Sequence, residues 1–431
     1  MAAGIGVTGA AGWWHGGHAL LGSLGLSLLC GVAAFGVVAQ LLYVLGASLA
    51  RWQVLAVCAV LACGALRGIG PGPRASPRPR TRLDLLAIPV VLVLVLLAVD
   101  LWYQPLWAYD SWTFWTPKAH ALYALNGLDP GWFTSAALIS KDYPILLPAL
   151  EAAGFRFTGY ETGLLDLQSW LIYAAFLRAV YEIGVTRARP VVLWAVLLML
   201  AVAPSALDQL AAAEADIPVA VFFAAAGVCA WTWLADRRPA GLVLAAVLAA
   251  GATATKVEGL MFVVGLFVVV AAVAARSSWR RAAAALGAGG AALAVGILPW
   301  RIWVSHHDVA NQASFGRVTG ASFLARHAAR LPVSVGYLGA RLVDPRAWIL
   351  VLPLAVFVAV DAFRRGRRRD VTFVVGVACF AFAGLVLAYW STPFPLHYQL
   401  ATSARRVITA IVLFAAAMTP ILSADSEPEP G

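Results

Sequence analysis

Charge is what this sequence has least of. Asp, Glu, Lys and Arg make up 12% of its 431 residues, about half the share of an ordinary soluble domain. With 62% apolar residues and a mean hydropathy of +0.83, the chain is not a set of soluble domains with large cores. Apolar runs of about 18–22 residues recur, each long enough to cross roughly 30 Å of hydrocarbon as a helix. The short alternating segments of a β-barrel are also missing. The five cysteines (Cys30, Cys58, Cys63, Cys229 and Cys379) all fall in apolar segments, with no paired pattern in a water-facing loop. That excludes a disulfide framework and a zinc site and leaves them as small buried residues. There is no phosphate-binding glycine loop with its Lys-Ser/Thr and no GxSxG elbow, so nucleotide hydrolysis and esterase chemistry have no support. The N-terminus lacks the short basic region of a cleaved signal peptide, and the first apolar run is expected to be a retained span.

What charge there is comes mostly from arginine. The formal net charge of +10 is not spread as a nucleic-acid footprint; the arginines cluster in short loops between apolar runs, the pattern of cytoplasmic loops. No nucleic-acid partner is expected. The fold class is therefore an all-α polytopic membrane protein, with about 11–12 transmembrane helices, embedded in the plasma (inner) membrane.

The chain divides accordingly. Residues 1–66 form an N-terminal transmembrane segment, its first 18 residues Gly-rich and expected to be poorly ordered; the rest is read as two helices broken near Arg51. Residues 67–82 are a Pro, Gly and Arg linker that cannot be helical and belongs in the cytoplasm. Residues 83–303 form the transmembrane core, with an outer loop at 103–163; 304–347 is a second outer loop, 348–422 the last helices and 423–431 a disordered acidic tail. After the span 84–102, further spans fall at about 164–184, 190–207, 217–235, 239–255, 258–275, 282–303, 348–363, 371–390 and 405–422. This register puts Arg187, Arg189, Arg237, Arg238, Arg276, Arg280, Arg281 and the 364–369 cluster on the inner side. The outer loop 103–163 contains two helical candidates, Ser111 to Asn126 and about Tyr143 to Phe157, rich in aromatics and expected to lie along the membrane interface.

Four clusters gather on the outer side. The first sets Asp110 among aromatics, with Lys118 and His120 nearby. Asp110 reads either as the N-cap of the helix from Ser111 or as a general base at the mouth of a cavity. In the second, Glu214 and Asp216 stand two apart before a span. They suit a shared divalent cation such as Mg or Mn, or Asp216 simply caps the helix with Pro218 in its first turn. In the third, Lys256 sits in a tight turn with Glu258. It either meets a phosphate or snorkels to the interface. The fourth is His397 to Arg406, where Arg405 and Arg406 oppose the positive-inside trend and suit an anion. His306-His307-Asp308 makes a poor metal set, because adjacent histidines on a helix point in different directions.

At these clusters the sequence resembles the polytopic GT-C glycosyltransferases, the superfamily of protein O-mannosyltransferases and aminoarabinose transferases. The likeness rests on Tyr109-Asp110-Ser-Trp112, Trp115-Thr-Pro-Lys118, Asp142-Tyr143-Pro-Ile-Leu, Ala215-Asp216-Ile-Pro218 and Thr255-Lys256-Val-Glu258-Gly259, and covers about residues 84–420. It implies a GT-C-like bundle that transfers a sugar from a polyprenyl-phosphate donor to a hydroxyl of a glycan, lipid or protein acceptor at the extracytoplasmic face. By the same resemblance Asp110 is the catalytic carboxylate, acting with inversion. Lys256, Arg406 and Arg405 meet the donor phosphate, and Trp112, Trp115, Lys118, His120, Tyr143, Glu258 and His397 contact substrate. The family often has a second acid in the first loop; here Ser111 follows Asp110, so Glu214 and Asp216 are left as the metal candidates. A transporter or flippase of a lipid-linked or anionic solute is the rival reading, and a scaffold for envelope assembly a third. Which sugar is moved is not encoded in any motif, and the arginines at 317, 326, 330 and 341 in the second outer loop suit an anionic acceptor or lipid headgroups equally.

Overall fold

The structure, a computed structural model, describes residues 1–14, 20–68, 81–135, 139–309 and 321–424. Among these residues it is all-helical, without strands. Eight helices are long and apolar enough to cross a membrane: Leu24–Val44, Arg51–Gly68, Arg82–Tyr103, Asp216–Asp236, Glu258–Ala275, Trp279–His306, Arg368–Trp390 and Leu396–Leu422. The count reaches nine if Pro190–Ala201 and Pro204–Leu210, which meet at a 47° bend, form one broken span.

This is fewer than the 11–12 expected, for identifiable reasons. Gly163–Gly184 has the length but carries Asp166, Arg178 and Glu182. Pro239–Thr255 is apolar but only 17 residues long. The span expected at 348–363 is a 14-residue helix, Val351–Arg364, set off from a short turn by the positive φ of Ile349.

The N-terminus also departs from expectation. Residues Ala2–Ala10 are a helix, packed between Leu24–Val44 and Arg51–Cys63. Its glycines permit the approach: a Cβ on Gly4 would lie 1.7 Å from the Ser27 carbonyl oxygen. Thr8 then reaches Ser27 (2.9 Å) and accepts from Trp14 Nε1 (3.0 Å). A Gly-rich, uncharged stretch reads as disorder only when no neighbour offers a surface that small residues fit. Of the linker only its ends are described, Gly64–Gly68 and Arg82–Leu86, both 3₁₀ turns; the remainder, Arg317 and residues 425–431 lie outside the described residues.

The centre of the bundle is Asp216–Asp236, whose apolar window is wholly enclosed by protein. Pro239–Thr255, Thr409–Leu422, Glu258–Ala275 and Gly163–Gly184 surround it. A helix hydrophobic on every side can satisfy itself only in such a place. Phe223 packs on Phe262 (5.1 Å) and Phe414 (5.6 Å), ring centre to ring centre. By contrast Arg51–Gly68 and Arg82–Tyr103 expose most of their apolar surface, as lipid-facing helices do. Cys63 and Cys379 share such exposed surfaces, whereas Cys30 and Cys229 are buried, so not every cysteine is a core residue.

The arginine-rich loops meet at one end. Arg187 pairs with Asp236 (2.5 Å), Arg281 donates to the Trp233 carbonyl (3.0 Å), Arg369 to that of Leu234 (2.9 Å), and Arg367 to that of Ile421 (2.8 Å). Arg281, Arg367 and Arg369 sit on carbonyls at helix C-termini, where the backbone leaves acceptors and partial negative charge, while Arg187 pairs with a carboxylate at the end of Asp216–Asp236. The predicted gathering of basic loops on one side is thus a property of the fold. A further cross-link ties the N-terminal part to this body: the Glu182 carboxylate accepts from the backbone N–H of Gly25 (3.0 and 3.1 Å) and of Leu26 (3.4 Å), at the start of Leu24–Val44.

Candidate functional site

At the end opposite the basic loops, side chains from five parts of the chain converge. Asp110 precedes a π-helical turn, Ser111–Trp115, that runs into the helix Thr116–Ala124. Such a widened turn re-aims side chains and recurs at functional sites. Here Phe114 and Trp115 point into the protein while Trp112 stays exposed against Tyr109, 5.6 Å between rings. Asp110 has helical backbone angles and its side chain caps nothing. Its Oδ2 instead accepts from Arg406 Nη2 at 2.7 Å. The cap reading of Asp110 is therefore replaced by an ion pair.

Arg406 is shared. Its Nη1 donates to the Glu214 carboxylate, in a turn where Ala213 holds the left-handed φ of +47°, a conformation costing about 1–2 kcal/mol for a residue with a Cβ. Asp216 also caps nothing. Its carboxylate accepts from Lys256 Nζ at 2.7 Å, and Glu258 Oε1 lies 3.6 Å from the same nitrogen. Lys256 does not snorkel: its side chain is 8% exposed. It sits in extended conformation between Pro239–Thr255 and Glu258–Ala275, and Gly259 closes the turn, since a Cβ there would lie 2.2 Å from the Ala252 carbonyl oxygen.

The result is a row of four carboxylates and two cations that is open at one end. Asp110 and Arg406 are about a quarter exposed, while Glu214 and Asp216 are 4% exposed. Burial pushes the Glu214 carboxyl up to about 7, with Arg406 opposing and Asp216 and Asp110 adding to the rise. Burial alone would lower Lys256; Asp216 and Glu258 reverse this and hold it raised and charged. Two buried polar atoms at the row, Arg406 Nε and Glu258 Oε2, have no partner among the described residues.

The other expected site residues fall into two groups. Lys118 is buried at 0% and donates to the carbonyls of Ser140 (2.6 Å) and Tyr143 (3.2 Å). Burial pulls it down to about 7, with Asp142 opposing. Trp300 Nε1 donates to the Asp142 carbonyl (2.9 Å), Arg301 lies 3.5 Å from its carboxylate, and the Gln40 amide receives the Ile145 N–H (3.3 Å) while donating to Gly296 (2.6 Å). Residues 139–145 are thus clamped from three sides. The clamp presents Tyr143 to the row: its ring packs edge-on against Trp115 at 5.9 Å, and burial, followed by Glu258, raises its phenol. Trp115 and Lys118 support this loop and do not join Asp110.

His120 is exposed against the Tyr160 ring (4.7 Å), and His397 is exposed at the start of Leu396–Val407; neither makes a polar contact to the row. Arg405, expected at the donor phosphate, pairs with Asp208 at 3.0 Å on the surface. The helix Leu146–Thr158, expected at the interface, is buried in protein, with Leu146, Leu147, Ala149 and Phe155 at 0% exposure. His307 Nδ1 meets the Trp303 carbonyl at 2.9 Å.

Sequence reasoning missed Gln40, Asp208 and Tyr389. The last hydrogen-bonds Ser403 at 2.7 Å, within electrostatic reach of Lys256, Glu258 and Asp216. Only Gln40, an amide inside an apolar run, carried a visible signal. As for a metal, Glu214 and Asp216 are each already held by a cation of the chain. No group of three or more His, Cys, Asp or Glu converges among the described residues, so the donor set does not fit a divalent cation as it stands. No family model, curated protein or solved structure matches this chain.

Proposed function

We propose that the chain is a membrane glycosyltransferase that moves a sugar from a polyprenyl-phosphate donor to an acceptor hydroxyl at the extracytoplasmic face, with inversion. The observation that carries this reading is Arg406 held between Asp110 and Glu214, at the open end of the charged row. A guanidinium is suited to a phosphate oxygen, and its Nε is still unpartnered. Donor phosphate drawn onto Arg406 loosens its hold on Asp110. The freed carboxylate then takes the proton of the acceptor hydroxyl as that oxygen attacks the anomeric carbon and the lipid phosphate leaves. Lys256, fixed by Asp216 and Glu258, keeps the deep end of the row from repelling the leaving phosphate. No step uses a metal.

One observation favours the rival transporter reading. The 47° break between Pro190–Ala201 and Pro204–Leu210 is the kind of discontinuity that transporters place at a binding site. Reconstituted protein supplied with labelled polyprenyl-phosphate sugar decides between the two. Transfer to an acceptor, lost in Asp110→Asn, supports the enzyme; passage of the intact lipid across the vesicle without donor consumption supports the transporter.

A further inference from the structure

A second pair of acids lies away from the charged row, where the 103–163 loop packs onto the bundle. Glu151, on Leu146–Thr158, and Asp166, on Gly163–Gly184, are each 1% exposed. The two helices cross closely. A Cβ on Gly154 would lie 2.5 Å from Leu164 Cδ2 and 2.6 Å from Gln168 Nε2, and that amide donates to the Leu150 carbonyl at 3.3 Å. Glu151 Oε2, Asp166 Oδ1 and Ser169 Oγ are buried there with no hydrogen-bond partner among the described residues.

No cation serves the pair among those residues. Arg156, further along the same helix as Glu151, donates to Leu122 and Asn126 (3.3 and 2.7 Å) and has Tyr43 beside it. Arg51 donates to the Arg156 carbonyl, and Lys118 is held by Ser140 and Tyr143. Asp100, on the packed helix Ala87–Tyr103, is exposed. The connection between the two helices carries Tyr160, within electrostatic reach of Glu151 and with His120 on its ring, and the exposed Glu161, while Tyr123 of the packed helix Thr116–Ala124 meets the Phe155 ring.

Two carboxylates cannot both stay ionised in such a place, because each is stripped of water and repels the other. One proton between them removes the repulsion and supplies a donor for an unmatched oxygen. Burial raises both carboxyls, and Glu151 carries the repulsion of Asp166 in addition, so the proton is assigned to Glu151.

We propose that Glu151 and Asp166 form a proton-binding site, in which Glu151 is protonated at neutral pH, so that the 103–163 loop packs onto the bundle with both acids buried. An acid held protonated by the fold contributes stability that is present below its unfolded pKa of about 4.3 and lost as pH rises through the folded value.

The test uses the full chain in detergent. Infrared spectra of wild type at neutral pH are expected to show a protonated carboxylic-acid band that shifts in D₂O, bleaches on alkalinisation and is missing from E151Q. Glutamine keeps the donor without a titrating proton, so the Tm of E151Q is expected to fall less with rising pH than that of wild type. The wild-type band titration stands alone should E151Q fail to accumulate. A wild-type spectrum without the band, or equal pH dependence in E151Q, overturns the proposal. So does a stability that follows sodium or magnesium concentration with both acids ionised, since a bound cation then takes the proton's place.

Discussion

Arg406 and Asp110 are 296 positions apart in the chain and 2.7 Å apart in space, Nη2 to Oδ2. The contact joins the loop after the Arg82–Tyr103 span to the last span, Leu396–Leu422. Asp110→Asn keeps the shape and a hydrogen-bonding oxygen but removes the charge and the basicity. Sugar transfer is expected to fall about 10²–10⁴-fold. Both side chains are about a quarter exposed, so Tm is expected to move little, a partly exposed pair being worth about 0–1 kcal/mol. Undiminished turnover in this variant would remove Asp110 from the chemistry.

Lys256→Met strands Asp216 in a site where it is 4% exposed. Loss of one partner of a buried pair costs about 3–5 kcal/mol, read as a lower Tm in detergent. Adding Asp216→Asn to Lys256→Met is expected to restore much of that loss. A double variant no more stable than the single one would show that the two residues are not coupled.

Arg405 and Arg406 are adjacent in sequence and unequal in setting. The Arg405–Asp208 pair is 41% and 59% exposed, so Arg405→Ala is expected to cost about 0–1 kcal/mol and to leave transfer near wild type. Arg406→Ala is expected to abolish it. A tenfold rise in donor KM for Arg405→Ala would return that residue to the donor site.

Gly259→Ala tests the turn that carries Lys256 and Glu258. The added methyl meets the Ala252 backbone at 2.2 Å, and backbone cannot yield as a side-chain tip does. A loss of about 1–3 kcal/mol is expected, with reduced transfer because the turn shifts. Wild-type Tm and turnover together would show that the two helices separate freely there.

Lys118 gives a pH dependence of opposite sign to that of Glu151. Its amine is lowered to about 7 by burial, so the fold favours the neutral form. Its contribution is present above the unfolded pKa of about 10.4 and lost as pH falls through about 7. Comparing Tm at pH 6 and 9, Lys118→Met is expected to lose the acid-side part of the wild-type decline. An unchanged profile would mean that the buried amine stays charged.

The spans were legible because membrane burial writes itself into composition: twenty apolar residues in a row have few other uses. Arginine placement also implied that the basic loops share one end, and Arg187, Arg281, Arg367 and Arg369 do meet at one end. Fewer helices have the length and apolarity of a span than expected, because helices such as Gly163–Gly184 keep charges: Glu182 holds both the neighbouring Arg178 and the remote Gly25 amide. At the site, Asp110, Glu214, Asp216, Lys256, Glu258 and Arg406 could be nominated from sequence, but their pairing could not. Local spacing offered a cap for Asp110 and Asp216, and tertiary cations claimed both carboxylates instead. Lys118 and Trp115 looked like substrate contacts because they neighbour Asp110 in sequence. The π-helical turn at Ser111–Trp115, which no residue pattern announces, turns them inward.

The Glu182 carboxylate on the amides of Gly25 and Leu26 sets an order for biogenesis. Gly25, at the start of the Leu24–Val44 span, is made 157 residues before Glu182, a delay of roughly 8–30 s at about 5–20 residues per second. Throughout that interval its first amides must be satisfied by water or by the insertion machinery. The span therefore enters the membrane as a provisional helix and acquires its final anchor when Gly163–Gly184 arrives beside it.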